Sequence, residues 1–246
     1  MKTALITGGQ QGIGLGIAIA LSTSGFRVVL AAELPEESPI VQAALAQLSN
    51  AEYLQHDLAE ISNCAKLLDT VGAVTCFVSN AGVPAKVRGD LLHVKPESYD
   101  FVMEINLRGA FFLAQEVARR MLAATSNDYR SMLFVTSVSA GVVSVERAEY
   151  CISKAGAAMM AQLFAIRMAS KGVGVFDLRP GIIDTGMTEA VRGKYSKLIA
   201  EGLVPAGRWG VPFDIGSVAV PLALGQFGFA SGAVIPIDGG LSIQRF

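Results

Sequence analysis

Lys2-Thr3-Ala4-Leu5-Ile6-Thr7, followed by Gly8-Gly9-Gln10-Gln11-Gly12-Ile13-Gly14, is the stretch that decides the fold. The first residues read as a short buried strand, the glycines as a tight turn, and the apolar residues on to Leu21 as a helix. Such a unit cradles an anion. Glycines let the backbone approach a pyrophosphate, and the helix N-terminus supplies free N–H donors and a partial positive charge. The spacing is Gly-x-x-x-Gly-x-Gly, distinct from Gly-x-Gly-x-x-Gly.

Outward from this unit, strands and helices alternate. Strands are expected near 3–7, 27–32, 52–55, 74–79, 131–136, 173–178 and 233–237. Helices are expected near 12–24, 39–49, 61–70, 97–123, 148–171 and 212–224. Alternation with nearly continuous apolar strands implies an α/β fold, a seven-stranded parallel sheet with helices on both faces. At 246 residues, with no repeat and no linker, the chain 1–246 reads as one doubly wound domain.

Two stretches imitate membrane signals. The apolar run after Lys2 is interrupted by Gly8-Gly9-Gln10-Gln11-Gly12, which argues against a signal peptide. Val218 to Ile237 is uncharged and long enough to span a bilayer, but Pro221, Gly225, Gly228, Gly232 and Pro236 interrupt it. It reads instead as a helix ending near Leu224, a turn and a last buried strand. A net charge of -1 speaks against a nucleic-acid partner. Cys64, Cys76 and Cys151 are too scattered for a disulfide framework or a metal knuckle, and His93 has no metal-spaced partner. No metal and no membrane is expected, and the cysteines suit a reduced, cytoplasmic protein.

The chemistry is carried by Tyr150-Cys151-Ile152-Ser153-Lys154, with Ser137 thirteen residues upstream. A tyrosine and a lysine four apart share one helix face. An ammonium beside a phenol favours the phenolate, which makes a tyrosine useful as an acid and base at neutral pH. Ser137 ends a short strand, where its hydroxyl can face the tyrosine across a cleft.

Together these stretches resemble the short-chain dehydrogenase/reductase family along nearly the whole chain, with six motifs in order. Thr7 to Gly14 matches the cofactor turn, Asn80-Ala81-Gly82 the Asn-Ala-Gly motif, and Asn106 the helix asparagine. Ser137, Tyr150 and Lys154 match the catalytic set, Pro180-Gly181-Ile182-Ile183-Asp184-Thr185 the Pro-Gly segment, and Asp238-Gly239-Gly240 the C-terminal signature. The resemblance implies a Rossmann-like fold that binds a nicotinamide dinucleotide through Gly8, Gln10, Gln11, Gly12, Ile13, Gly14, Glu33, Asp57, Leu58, Asn80, Ala81, Gly82, Lys154, Pro180, Gly181, Ile183 and Thr185. It implies that Tyr150 exchanges a proton with the substrate oxygen and that Lys154 keeps the phenol acidic and holds a ribose. Ser137 is expected to position the oxygen, and Asn106 to hold a water that relays protons from Lys154. The resemblance also makes Gly186 to Gly210, the least regular segment, a substrate loop and lid. Assembly as a dimer or tetramer, a homotetramer in many members, is inherited from the same source.

Glu33 bears on the choice of dinucleotide. An acidic residue after the second strand accepts from ribose hydroxyls and repels a 2′-phosphate. The family usually places its aspartate where Ala32 stands. With Gln10 and Gln11 also uncharged, the reading is NAD rather than NADP. Asp57 is expected at the adenine, or else as a helix cap in competition with Ser62 and Asn63. The leading reading is an NAD(H)-dependent oxidoreductase of a small-molecule secondary alcohol or ketone. The alternatives are an NADPH-dependent 3-oxoacyl carrier-protein-type reductase, with Arg119 and Arg120 docking the carrier, and a non-catalytic dinucleotide sensor. Glu146, Arg147, Glu149, Arg192 and Lys194 read first as a solvated charged rim. Contact of Arg147, Arg192 or Lys194 with an acidic substrate group is the other possibility.

Overall fold

The computed structural model describes residues 2–245. Seven parallel strands form one sheet: β1 (Thr3–Thr7), β2 (Arg27–Ala32), β3 (Ala51–Gln55), β4 (Cys76–Ser79), β5 (Arg130–Val135), β6 (Val173–Pro180) and β7 (Val234–Ile237). Their order is β3-β2-β1-β4-β5-β6-β7. The chain runs outward from β1 in one direction, then returns to β4 and runs outward in the other. Strand order therefore reverses between β1 and β4, and the crevice beyond their C-terminal ends is where ligands bind in such sheets.

The helices are α1 (Gly12–Thr23), α2 (Pro39–Leu45), α3 (Cys64–Val71), α4 (Pro96–Met103), α5 (Ala110–Ala123), α6 (Ala148–Ala169), α7 (Arg192–Ala200) and α8 (Pro212–Ala223). Because successive strand residues face opposite sides, each strand feeds two cores. Leu5, Val29, Phe77, Met132, Phe134 and Val175 pack with α3, α5 and α6. Ala4, Ile6, Val28, Leu30, Val78, Leu133 and Phe176 pack with α1, α2 and α8. Burial on both faces explains why the strands read as unbroken apolar runs instead of alternating ones.

Two expectations need correction. The helix expected over 97–123 is interrupted: between α4 and α5, Glu104–Gly109 winds more widely, with π-type bonds. Asn106, whose contacts are described with the site below, lies within this turn. The last strand is not buried, since Val234 is 39% exposed; β7 pairs only with β6 and lies at the sheet edge. Val218 to Ile237 does divide into the end of α8, a turn and β7, with Pro221 inside the helix's last turn. Among the described residues no helix is long and apolar enough to cross a membrane.

Candidate active site

A cleft of about 730 Å³ opens over the C-terminal ends of β1 and β4. One end is made by the glycine turn. Gly14 sits so close to the turn it follows that a Cβ there would lie 2.2 Å from the Gly8 carbonyl oxygen and 2.6 Å from Asn80 Nδ2. Only glycine lets α1 begin beneath the turn, with its first N–H groups facing the cleft. Asn80 ties the strand reversal together: its Nδ2 donates to the Thr7 carbonyl at 2.9 Å and to the Gly8 carbonyl at 3.2 Å. Thr7 Oγ1 accepts from the N–H groups of Asn80 and Ala81, each at 3.0 Å.

Gly8, Gln10, Gln11, Gly12, Ile13, Gly14, Glu33, Asp57, Leu58, Asn80, Ala81, Gly82, Tyr150, Lys154 and Thr185 all line the cleft. Ser137, Asn106, Pro180, Gly181 and Ile183 do not. Ser137 follows the lining residues Val135 and Thr136, and its Oγ accepts from the Ser139 N–H at 3.0 Å. That leaves its own O–H free to donate. Gly181 packs behind the site against Asp238, and Ile183 lines a separate cavity of about 450 Å³.

A cavity with a glycine cradle at one end fits a phosphate-bearing cofactor, and two orphaned polar atoms inside it agree. Gln10 Oε1 and His56 Nε2 are buried without a hydrogen-bond partner, a state that costs free energy unless a ligand supplies one. His56 was not expected from the sequence. It sits one residue past β3, where the strand's alternation turns it inward. Burial holds its pKa below the ordinary 6.5, against a smaller opposing pull from Asp57. Glu33 is exposed at the cleft after β2, and among the described residues it has no ion-pair partner. Asp57 Oδ1 accepts from the Ala59 N–H at 2.9 Å, so it caps its own turn and does not cap α3.

At the other end, Tyr150 and Lys154 project from α6. Lys154 is 7% exposed, its Nζ donates to the Val135 carbonyl at 3.2 Å, and it lies 5.7 Å from the centre of the Tyr150 ring. Asn106 is placed differently from expectation. Its Oδ1 accepts from the Val83 N–H at 2.7 Å, while its Nδ2 donates to the Val83 carbonyl at 3.0 Å and to Ser153 Oγ at 3.1 Å. The side chain therefore clamps the loop after β4 to α6, and it does so from the widened turn that interrupts the helix. Both amide N–H donors are taken up by these contacts, while Oδ1 accepts one bond of the two it can take. Phe101, Ile105 and Met187 also line the cleft; nothing in their sequence context marks them.

The lid is pinned. Arg192 of α7 donates to Asp184 Oδ2 at 2.5 and 3.1 Å and stacks on Trp209 at 5.6 Å. Lys194 pairs with Glu146 at 3.6 Å. Arg120 is engaged by Asp69 at 2.8 Å and Glu116 at 2.9 Å, and Arg119 by Glu116 at 3.5 Å. Among the described residues, no three His, Cys, Asp or Glu side chains gather as a metal site.

Comparison with known proteins agrees with this geometry. A family model described as enoyl-(acyl carrier protein) reductase matches residues 8–242. A 3-oxoacyl-[acyl-carrier protein] reductase from Brucella melitensis, solved in complex with NAD, is 42% identical with a TM-score of 0.94, covering 100% of this chain and 98% of its own. A protein from Agrobacterium tumefaciens solved with bound NADP is 31% identical with a TM-score of 0.87, covering 99% of this chain and 97% of its own. The 2-dehydro-3-deoxy-D-gluconate 5-dehydrogenase of Pseudoalteromonas atlantica is 31% identical over 250 residues, 97% of this chain and 95% of the relative. With a family match over most of its length and likenesses of this extent, the chain belongs to the short-chain dehydrogenase/reductase family and is an NAD(P)-dependent oxidoreductase acting on CH–OH and ketone groups.

Proposed function

We propose that the chain works as one dinucleotide-binding unit, with residues 186–210 as its lid, and interconverts a secondary alcohol and a ketone using NAD(H). The observation that carries this reading is that Tyr150 and Lys154 line the same cleft as the glycine turn. A bound nicotinamide supplies or accepts the hydride. The chain's own residues handle the oxygen. Tyr150 gives its proton to the substrate oxygen in reduction and takes it back in oxidation. The buried Lys154 ammonium holds positive charge beside the phenol, and its remaining N–H donors face the cleft. Ser137 donates its free O–H to the same oxygen. Asn106 works at one remove, by fixing the loop at Val83 that forms one wall.

Glu33 supports NAD. An exposed carboxylate without an ion-pair partner accepts from ribose hydroxyls and repels a 2′-phosphate. A second reading, an NADPH-dependent reductase of carrier-bound 3-oxoacyl groups, is favoured by the Brucella melitensis likeness. Against it stand Glu33 and the engagement of Arg119 and Arg120 by their own carboxylates. We further read the chain as a cytoplasmic homo-oligomer, in keeping with two separate exposed apolar patches and three free cysteines.

The test is nicotinamide reduction and oxidation across secondary alcohols, polyols, hydroxy acids and a 3-oxoacyl thioester, with NAD and NADP in parallel. The expected result is turnover with NAD that falls on the order of 100-fold or more in Tyr150→Phe. Dinucleotide binding should survive in that variant. Turnover confined to NADP and the thioester would establish the second reading instead.

A further inference from the structure

We propose that the substrate carries a carboxylate close to its reacting carbon, and that Arg147 binds it. The proposal deepens the oxidoreductase reading and rests on it. Three cations near the substrate loop were candidates for meeting an acidic group, and the structure separates them. Arg192 is held by Asp184, and Lys194 by Glu146. Both belong to the machinery of the lid. Arg147 is different: among the described residues, no carboxylate oxygen lies within 4.0 Å of its guanidinium.

Its position is the second argument. The Arg147 guanidinium carbon lies 5.6 Å from the centre of the Tyr150 ring, on the residue that handles the reacting oxygen. It is half-buried, and two weak contacts hold it: Nε to Ser144 Oγ at 3.3 Å and Nη2 to Ser139 Oγ at 3.4 Å. A guanidinium has five N–H donors in a fixed fork, so three remain for an incoming group. That fork matches a carboxylate in two-pronged fashion.

The helix end contributes in the same sense. Arg147 immediately precedes α6 as its N-cap residue, and a helix N-terminus favours an anion. Glu149, on that turn, is only 1% exposed: its Oε1 accepts from Ser98 Oγ of α4 at 2.7 Å, its Oε2 is buried without a hydrogen-bond partner, and it makes no ion pair with Arg147. A positioned, half-desolvated cation without an acidic partner beside the catalytic phenol is costly to keep. A substrate carboxylate supplies the missing charge. A short hydroxy or oxo acid, or a sugar acid, then sits with its oxygen at Tyr150 and its carboxylate at Arg147. A carrier thioester has no free carboxylate to offer there.

The test measures dead-end binding to the NADH-loaded full chain, read by nicotinamide fluorescence. The probes are 3-hydroxybutyrate against its methyl ester, and gluconate against gluconamide. At least one acid is expected to bind on the order of tenfold or more tighter than its neutral partner. Arg147→Met should bring that ratio to about one, and Arg147→Lys should recover part of it, since charge remains but the fork is lost. Steady-state kinetics should show the Arg147→Met loss chiefly in KM for the acid. Equal binding of acid and neutral partner by the unmutated chain, or a preference that persists in Arg147→Met, overturns the proposal. So does a loss confined to kcat and equal for both probes, which assigns Arg147 to the tyrosine instead. Failure of NADH itself to bind would overturn the NAD(H) reading on which the proposal rests, and fluorescence on NADH addition alone reports that separately.

Discussion

A single residue, His56, shows how burial prepares the cleft for its ligand. Its ring is 6% exposed, and Nε2 has no partner within the protein. Desolvation depresses its folded pKa below 6.5, the value of a free histidine, with Asp57 pulling weakly the other way. The sign follows from linkage. Between the two pKa values the unfolded chain binds more protons than the folded one, so stability is full above about 6.5 and is lost as pH falls through the folded value. The fold should therefore weaken on mild acidification, and His56→Gln should flatten that dependence. Urea unfolding at a series of pH values from 7.5 to 5 would measure it, and an unchanged slope in the variant would remove His56 from the account. The dinucleotide the cleft takes, added in excess, should shift the whole curve to higher stability, because a ligand of the folded state alone stabilises it. Tyr53, beneath the same wall, is a contrasting case. Burial, with Glu33 and Glu36 adding, pushes its pKa up to about 12, and its one O–H is shared between the carbonyls of Ala32 and Leu34, at 2.9 and 2.5 Å. It stays a neutral donor that braces the end of β2 where Glu33 emerges.

Between α4 and α5, the widened turn Glu104–Gly109 decides where the wall of the cleft stands. Asn106 reaches out of it to hold both backbone groups of Val83. Gly109 lets it press against the loop after β3, since a Cβ there would lie 2.1 Å from the Leu58 carbonyl oxygen. Asn106→Ala leaves the Val83 N–H and carbonyl without that partner and should cost about 1–3 kcal/mol of stability. The urea midpoint reads that loss. A rise in the KM for the dinucleotide should accompany it, because Gly82 and Val83 line the cleft. Stability lost with KM unchanged would mean the clamp serves the fold alone. These elements also show what the sequence could reveal. Strand positions were legible because burial on both faces makes each strand a plain apolar run. The glycine turn was legible because close backbone approach admits one residue type at Gly14. The interruption over 104–109 was not, since no Pro or Gly pair marks it and one added residue shifts the apolar stripe too little to end a helix pattern. Nor was the difference between Arg147 and Arg192, because ion pairing depends on which carboxylate the fold brings near, and Asp184 and Glu146 come from different loops.

At the scale of the whole molecule, the remaining question is what covers the apolar surface outside the cleft. On α6, Ile152, Met159, Leu163 and Ile166 are exposed by 49%, 55%, 60% and 85%. Their spacing puts them in one stripe on the face opposite the core. A separate patch comprises Phe227 and Phe229, exposed by 51% and 109%, in the segment leading into the edge strand β7. An exposed parallel edge and clustered large apolar side chains are both disfavoured on an isolated chain. The two patches lie on different parts of the sheet, one over a face and one at an edge. If each pairs with its own copy about a two-fold axis, two independent isologous contacts generate a closed tetramer. The expected result by light scattering is a tetramer that Leu163→Glu with Ile166→Glu reduces to a dimer. Phe229→Glu should also give a dimer, built through the α6 stripe instead, and the combined variant should give a monomer. Since these side chains face solvent within one chain, the substitutions should leave its fold intact, which circular dichroism can verify. A mass unchanged in all three variants would show that neither patch holds copies together. A monomer from the α6 variant alone would show that the β7 patch cannot sustain a contact without it.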